Sequence, residues 1–282
     1  MTARRARPAR EGRSPTTRNI RLLIEYQGTR YAGWQVQPSS RTVAGEILAA
    51  IRSELGETPR LFGAGRTDHG VHAEGQVANF HTASALPPAT LADALNRLLP
   101  ADIHILRADD APASFHARHD ALSRRYRYQL ASRRSAFFKK LVWWIRRPLD
   151  TAAMAAAVST LPGRHDFRSF ADRAEEVHEP RVRVMHAAIG RSGILTTFTI
   201  EADHFLPKMV RRLVGVLVQI GIGELPAEAM RRFLDSRVDD PAPWTAPPSG
   251  LFLERVSYPP GADPAGRGGR SSGARSVMSA SE

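Results

Sequence analysis

The stretch GAGRTDHGVHAEGQVANF, Gly63 to Phe80, carries an aspartate, Asp68, in a loop with glycine at 63, 65, 70 and 75 and histidine at 69 and 72. Glycine tolerates backbone angles and close approaches that other residues resist, so such a loop can press Asp68 and Arg66 against something bulky. Three chemistries fit the aspartate. It can close a turn by accepting hydrogen bonds from nearby backbone amides, a frequent role for Asp beside Gly. It can share a metal ion with His69 and His72, although no further carboxylate or histidine falls at a recognised ligand spacing, and His72 serves equally as a loop histidine. It can act as a nucleophile or acid-base group. Phosphate cradling fits poorly, because a P-loop ends in Gly-Lys-Ser/Thr and this loop continues Asp-His-Gly.

The elements around the loop follow from hydrophobic pattern. NIRLLIEYQG reads as a strand closed by a glycine turn. In TVAGEILAAIRSELG, Val43, Ile47, Leu48, Ile51 and Leu55 share one helical face, with Gly56 as the stop. RLFGAG reads as a short strand entering the loop and GQVANFHT as the strand leaving it. TLADALNRLLP predicts a helix with Thr90 and Asp93 at capping-box spacing, a Leu91, Leu95, Leu98 stripe, and Pro100 ending it. DIHILRA is a strand. Strand, helix, strand, strand, helix, strand is the split βαβ order of ferredoxin-like domains. Its antiparallel sheet, covered on one face by two helices, leaves the other face for a ligand.

The second half roughly repeats the plan. LSRRYRYQLA reads as a strand, DTAAMAAAVSTL as a helix, RVRVMHAAIGRSGILTTFTIEA as a hairpin around Gly190 to Gly193, and PKMVRRLVGVLVQIGIG as a helix. A short helix, AEAMRRFLD, and a last strand, GLFLERVSY, complete it, with the boundary between halves near Phe115. The fold class expected is α+β, with two ferredoxin-like (RRM-like) subdomains whose mainly antiparallel sheets flank a central basic cleft. A disordered basic arm (1–18) precedes the N-terminal domain carrying the Asp68 loop (19–114). The C-terminal domain (115–258) is followed by a disordered tail (259–282).

Composition narrows the partners. No cysteine is present, which removes disulfides, thiolate nucleophiles and thiolate metal sites and fits a reducing, cytoplasmic home. Net charge is +12, unevenly distributed: residues 1–18 hold six arginines against Glu11. That arm lacks the apolar stretch of a secretory signal, and no apolar run is long enough for a membrane span. A basic body with a basic arm points to a polyanion, with RNA or DNA favoured over a membrane surface.

Several segments together resemble the TruA family of tRNA pseudouridine synthases. GAGRTDHGVHAEGQVANF is similar to the family's catalytic motif, a Gly-Arg-Thr-Asp-x-Gly-Val-His run presenting an essential aspartate. EYQGTRYAGWQVQP resembles its N-terminal strand and loop, FHARHDALSRRYRYQL its tyrosine strand, HDFRSF its mid-domain signature, and FLPKMVRRLVG its arginine helix. These pieces run in the family's order from about residue 20 to 258. The resemblance implies isomerisation of uridine to pseudouridine at positions 38, 39 and 40 of the tRNA anticodon stem-loop, without cofactor or metal. It also implies a homodimer that binds tRNA, stem-loop and body, across both subunits.

By motif position Asp68 is the nucleophile, attacking C6 of the base or C1′ of the ribose. A carboxylate that is both ionised and poorly solvated needs a neighbouring cation, and Arg211, in a helix with Met209, Val210, Leu213, Val214, Val216 and Leu217, is the candidate; the alternative is that Arg211 and Arg212 form a solvated edge that binds phosphate. Arg212 is expected to meet phosphate or solvent. Arg66 resembles the family arginine that assists base flipping, as against an ordinary loop salt bridge. Tyr126 matches the ring that stacks on the uracil and whose hydroxyl serves proton transfer, whereas Tyr128, on the same strand face, is expected in the core. GLFLERVSY resembles the family's last strand, which implies that Leu251 or Leu253 lines the base pocket, with core packing as the alternative, and His116, Arg118, Arg124 and Lys208 are candidate phosphate contacts. His69, Arg212 and the Pro207-Lys208 pair depart from the residues common in the family, which bears on the choice of uridine rather than on activity. Two rivals remain: a non-catalytic RNA-binding protein, and a metal-dependent hydrolase built on Asp68, His69 and His72.

Overall fold

A computed structural model describes residues 17–235 and 241–262. Most of the expected arm (1–16) and most of the expected tail (263–282) lie outside the described residues.

The first half runs β1 (Arg18–Tyr26), α1 (Val43–Leu55), β2 (Phe62–Gly63), β3 (His72–Thr82), α2 (Pro88–Leu98) and β4 (Ile103–Ala111). β1 buries Ile20, Leu22, Ile24 and Tyr26 on one face, and Asn19 and Arg21 on the other face are buried as well. α1 starts where the Thr42 side chain accepts from the Gly45 amide and stops at Gly56, whose φ is +68°. Its inward face is Val43, Ala44, Ile47, Ala50 and Ile51, while Leu48 and Leu55 are half-buried. α2 departs from expectation. It begins at Pro88, because proline at the first turn lacks the amide that would go unbonded there, so Thr90 and Asp93 lie inside the helix and form no capping box. Leu91 and Leu95 are buried, but Leu98 is 46% exposed and drops out of the stripe.

The second half runs β5 (Ser123–Ala131), β6 (Trp143–Trp144), α3 (Thr151–Val158), β7 (Gly163–Asp166), β8 (Arg181–Ser192), β9 (Leu195–Ala202), α4 (Met209–Gly221), α5 (Ala229–Asp235) and β10 (Leu251–Ser257). The short strands β6 and β7 have no counterpart in the sequence reading. Gly190 is inside β8, and the hairpin turns at Gly193. α4 begins at Met209 rather than Pro207.

All ten strands join one sheet, ordered β4-β1-β3-β10-β5-β9-β8-β7, with β2 on β3 and β6 on β5. Pairing is antiparallel except for β10 with β3 and β6 with β5. The buried apolar residues form one continuous cluster spanning both halves. The fold is thus mixed α+β with a mainly antiparallel sheet and five α-helices among the described residues. None of those helices is long and apolar enough to cross a membrane.

One detail of the sheet positions the site. β3 has two partners along one edge: β2 meets Ala78 and Asn79, and β10 meets His72 and Ala73. The Asp68 loop leaves the sheet where β2 ends and returns where β10 begins.

Candidate active site

The loop is gripped from behind. The Trp34 amide donates to the Thr67 carbonyl at 3.1 Å, Gly70 donates to Tyr31 O at 3.3 Å, and the Gln76 side chain donates to Gly65 O at 2.8 Å. The buried Tyr26 and Thr67 hydroxyls bond each other at 2.7 Å. Gly33, at φ +103°, lets its segment lie so close that a Cβ there would stand 2.5 Å from Thr67 O. Of the loop's own glycines, Gly65 faces open space towards the Tyr126 hydroxyl.

Asp68 projects from this frame into a cavity of about 630 Å³, within the range of small-ligand sites. Arg211 Nη1 stands 3.2 Å from Asp68 Oδ2. The Arg211 side chain is 15% exposed and the Asp68 side chain 40%, so the cation is packed and the carboxylate opens to the cavity. Arg211 is aimed by its own surroundings, since Nε donates to Ala246 O at 2.8 Å and the Ala246 amide returns to Arg211 O at 3.0 Å. It lies in the first turn of α4, where the helix dipole adds positive potential.

Tyr126 forms a wall of the cavity, with Phe205 edge-on to its ring at 5.0 Å. Burial first, and the nearby Asp68 charge second, push the Tyr126 phenol well above its ordinary range, so it is neutral at working pH. Tyr128 is fully buried with its hydroxyl on Pro247 O, the core role expected of it. Leu251 lines the cavity, whereas Leu253 is fully buried in the core and does not. Arg66 and Arg118 are exposed on the cavity rim, and Arg66 has no carboxylate partner among the described residues.

Four expected phosphate contacts stand differently. Arg212 is the more buried of the neighbouring pair, donating to Ala171 O at 2.6 Å and pairing with Asp172 at 3.2 Å, so it faces neither solvent nor the cavity. A helix advances about 100° per residue, which sends Arg211 and Arg212 to different neighbours. Arg124 borders the cavity but spends its donors on the carbonyls of Ala64, Arg118, Ala121 and Asp203, so it clamps the rim. His116 lies outside the cavity lining. Its Nδ1 accepts from the Arg118 and His119 amides and organises that turn. Lys208 lines the cavity yet is tied to Asp172 at 2.8 Å.

His72 is buried, with Nδ1 accepting from the Gly28 amide at 3.0 Å and Nε2 against Lys140 O and Ser249 O. Both ring nitrogens are therefore committed to backbone, away from Asp68, and burial lowers the ring's pKa. Among the described residues no group of three or more potential ligands could hold a metal.

A family model described as tRNA pseudouridine synthase matches residues 22–120 and 157–259, more than half of the chain. The chain belongs to the tRNA pseudouridine synthase family. It is 43% identical over 243 residues to tRNA pseudouridine synthase A of Moorella thermoacetica, covering 85% of this chain and 99% of that protein. The Chlorobium luteolum protein of the same name is 43% identical over 243 residues (86% and 96%), and that of Myxococcus xanthus 40% over 253 residues (88% and 96%). Among solved structures, a Cbf5-Nop10-Gar1 complex covers 71% of the chain at 11% identity and a TM-score of 0.28, too loose a likeness to carry an argument. Membership makes the protein an isomerase that converts uridine to pseudouridine in tRNA.

Sequence reasoning missed the supports of this synthase's site. Tyr26, Gly33 and Trp34 fall in the EYQGTRYAGWQVQP segment, where the signal was present but no role followed from residue type. Phe205 opens the FLPKMVRRLVG segment, but its role did not follow from residue type, because it lies in an edge-on contact with a ring nearly eighty positions away.

Proposed function

We propose that this synthase acts on uridines 38, 39 and 40 of the tRNA anticodon stem-loop, with Asp68 as nucleophile. The observation that carries the reading is the Asp68–Arg211 pair opening into a cavity walled by Tyr126 and Leu251. The carboxylate attacks C6 or C1′, the N1–C1′ bond breaks, the uracil turns, C5 bonds to C1′, and the bond to Asp68 breaks to return the free carboxylate. The proton on C5 leaves and one arrives at N1, so atoms and charge balance without a redox partner or cofactor. A neutral Tyr126 phenol can stack on the base and relay that proton with no net change in its own charge. A paired uridine reaches such a cavity only by leaving the helix, at a cost of a few kcal/mol. Arg66 on the exposed rim is the side chain available to follow it out. Arg118 remains a candidate phosphate contact.

The strand order supports two ferredoxin-like halves, 19–114 and 115–258. β4-β1-β3-β2 in the first and β10-β5-β9-β8 in the second follow the same 4-1-3-2 arrangement. We further infer a cytoplasmic homodimer that holds tRNA across both subunits.

The deciding experiment is Asp68→Asn, assayed on full-length tRNA by mapping pseudouridine. The variant is expected to form none at positions 38–40 while binding tRNA within a few-fold of wild type. Conversion at the wild-type rate ends the proposal.

A further inference from the structure

The connection from β5 to α3 is not used by the chemistry above. Between Ser132 and Leu149 the sequence has six basic residues and no carboxylate. Its outer part, 132–142, is a loop rather than a helix. Phe137 at its tip is 92% exposed, and Trp144 at its base is 38% exposed with the Arg134 guanidinium 5.1 Å over its ring. Among the described residues, Arg133, Arg134, Lys139 and Lys140 pair with no carboxylate. An exposed phenylalanine flanked in sequence by four unneutralised cations presents an apolar ring on a surface that repels like charge.

The loop is built in rather than loosely hung. The Ser132 amide donates to Ile194 O, the Gln129 side chain donates to Leu141 O, and His72, the first residue of β3, bonds Lys140 O. From Tyr126 to Ala131 is five residues of extended strand, about 17 Å at roughly 3.3 Å per residue. The strand thus carries the chain away from the Tyr126 ring before the loop begins.

We propose that residues 133–140 form a second RNA-contacting surface, gripping the phosphates of the tRNA outside the target nucleotide, with Phe137 stacking on an unpaired base. The inference rests on the proposed function for its substrate. Three observations favour RNA. The charge is of one sign, which opposes a two-fold contact between copies of the loop. The segment lacks the amphipathic helix of a membrane-surface anchor. Exposed cations beside an exposed ring are the combination that holds unpaired nucleic acid.

The test measures tRNA binding over a salt series for the full-length protein carrying Arg133→Ala, Arg134→Ala, Lys139→Ala and Lys140→Ala together, and separately for Phe137→Ala. The quadruple variant is expected to bind about ten-fold or more weakly, with a log–log salt slope shallower by about 3. Phe137→Ala is expected to lose about five-fold, one base stack, and its exposed position spares the fold. Both should keep the wild-type melting temperature and a turnover within about two-fold at saturating tRNA. Unchanged affinity and slope overturn the inference. So does unchanged RNA affinity accompanied by a smaller oligomer in sedimentation or by lost binding to anionic vesicles. If wild type forms no pseudouridine, the functional reading has failed instead; if wild type is active and the variants bind normally, only this surface has.

Discussion

The β2–β3 connection and the β8–β9 connection each link two neighbouring antiparallel strands of their half, yet one holds the site and the other holds nothing. Residues 64–71 are fixed by Trp34, Tyr31, Tyr26 and Gln76 and face a cavity. The turn at Gly193 is exposed, and a Cβ there would meet no atom within 4 Å. The helices differ in the same way. α2 covers the first half with a narrow apolar face, whereas α4 is buried almost all round and turns Arg211 towards the other half's aspartate. The strand order is shared, so the two connections differ in what each is packed against: one half carries Asp68, and the other carries the Arg211 that pairs with it and the Tyr126 that walls the same cavity.

Removing the carboxylate should have the largest effect. Asp68→Asn preserves shape and hydrogen bonding but not nucleophilicity, and turnover should fall by on the order of 10⁴- to 10⁶-fold in single-turnover assays. Removing the cation from the opposite half comes next. Arg211→Ala should cost on the order of 10²- to 10³-fold in turnover, with tRNA affinity changed little. Arg211→Lys should recover only part, because one ammonium does not reproduce the guanidinium's reach to both Ala246 O and Asp68. If Arg212→Ala proved the more damaging to turnover without lowering the melting temperature, the division of labour between the two arginines would be wrong.

The halves should respond together to alkali. Burial raises the phenols of Tyr26 in the first half and Tyr126 and Tyr128 in the second. A raised folded-state pKa means that the neutral form is favoured on folding. Stability is therefore complete below the ordinary tyrosine value of about 10 and is lost as pH climbs from there towards the folded values. Melting temperature followed from pH 8 to 11 should be flat and then fall, and no alkaline loss of activity below about pH 9.5 should be removed by Tyr126→Phe.

How much of this was legible depends on range. Asp68 could be singled out because its loop is a short contiguous motif that resembles the family's, and the alternation that puts Tyr126 and Tyr128 on one strand face is equally local. Arg211 and Arg212 were indistinguishable in type. Their fates are set by Ala246 on one side and by Ala171 and Asp172 on the other, thirty to forty residues away. Arg124 looked like a phosphate ligand for the same reason: carbonyls from four separate positions absorb its donors, and carbonyls carry no sequence signature. α2 was misread at its start because a first-turn proline, which carries no amide to leave unbonded and presets φ, starts the helix ahead of Thr90, leaving the Thr90–Asp93 spacing idle.

The smallest effects test the opening contrast most directly, through one glycine beside each connection. At Gly33, φ is +103° and a new Cβ would stand 2.5 Å from the backbone oxygen of Thr67. Gly33→Ala is expected to cost about 3 kcal/mol of stability and, because Thr67 precedes Asp68, to lower turnover in protein that remains folded. Gly193 has φ +55° with free space around it, so Gly193→Ala carries only the left-handed backbone term, about 1 kcal/mol, with turnover unchanged. Denaturant unfolding and single-turnover assays on the two variants separate strain that reaches the aspartate from strain that does not. Equal turnover losses in both would mean that the Asp68 loop is no more dependent on its packing than an open hairpin turn.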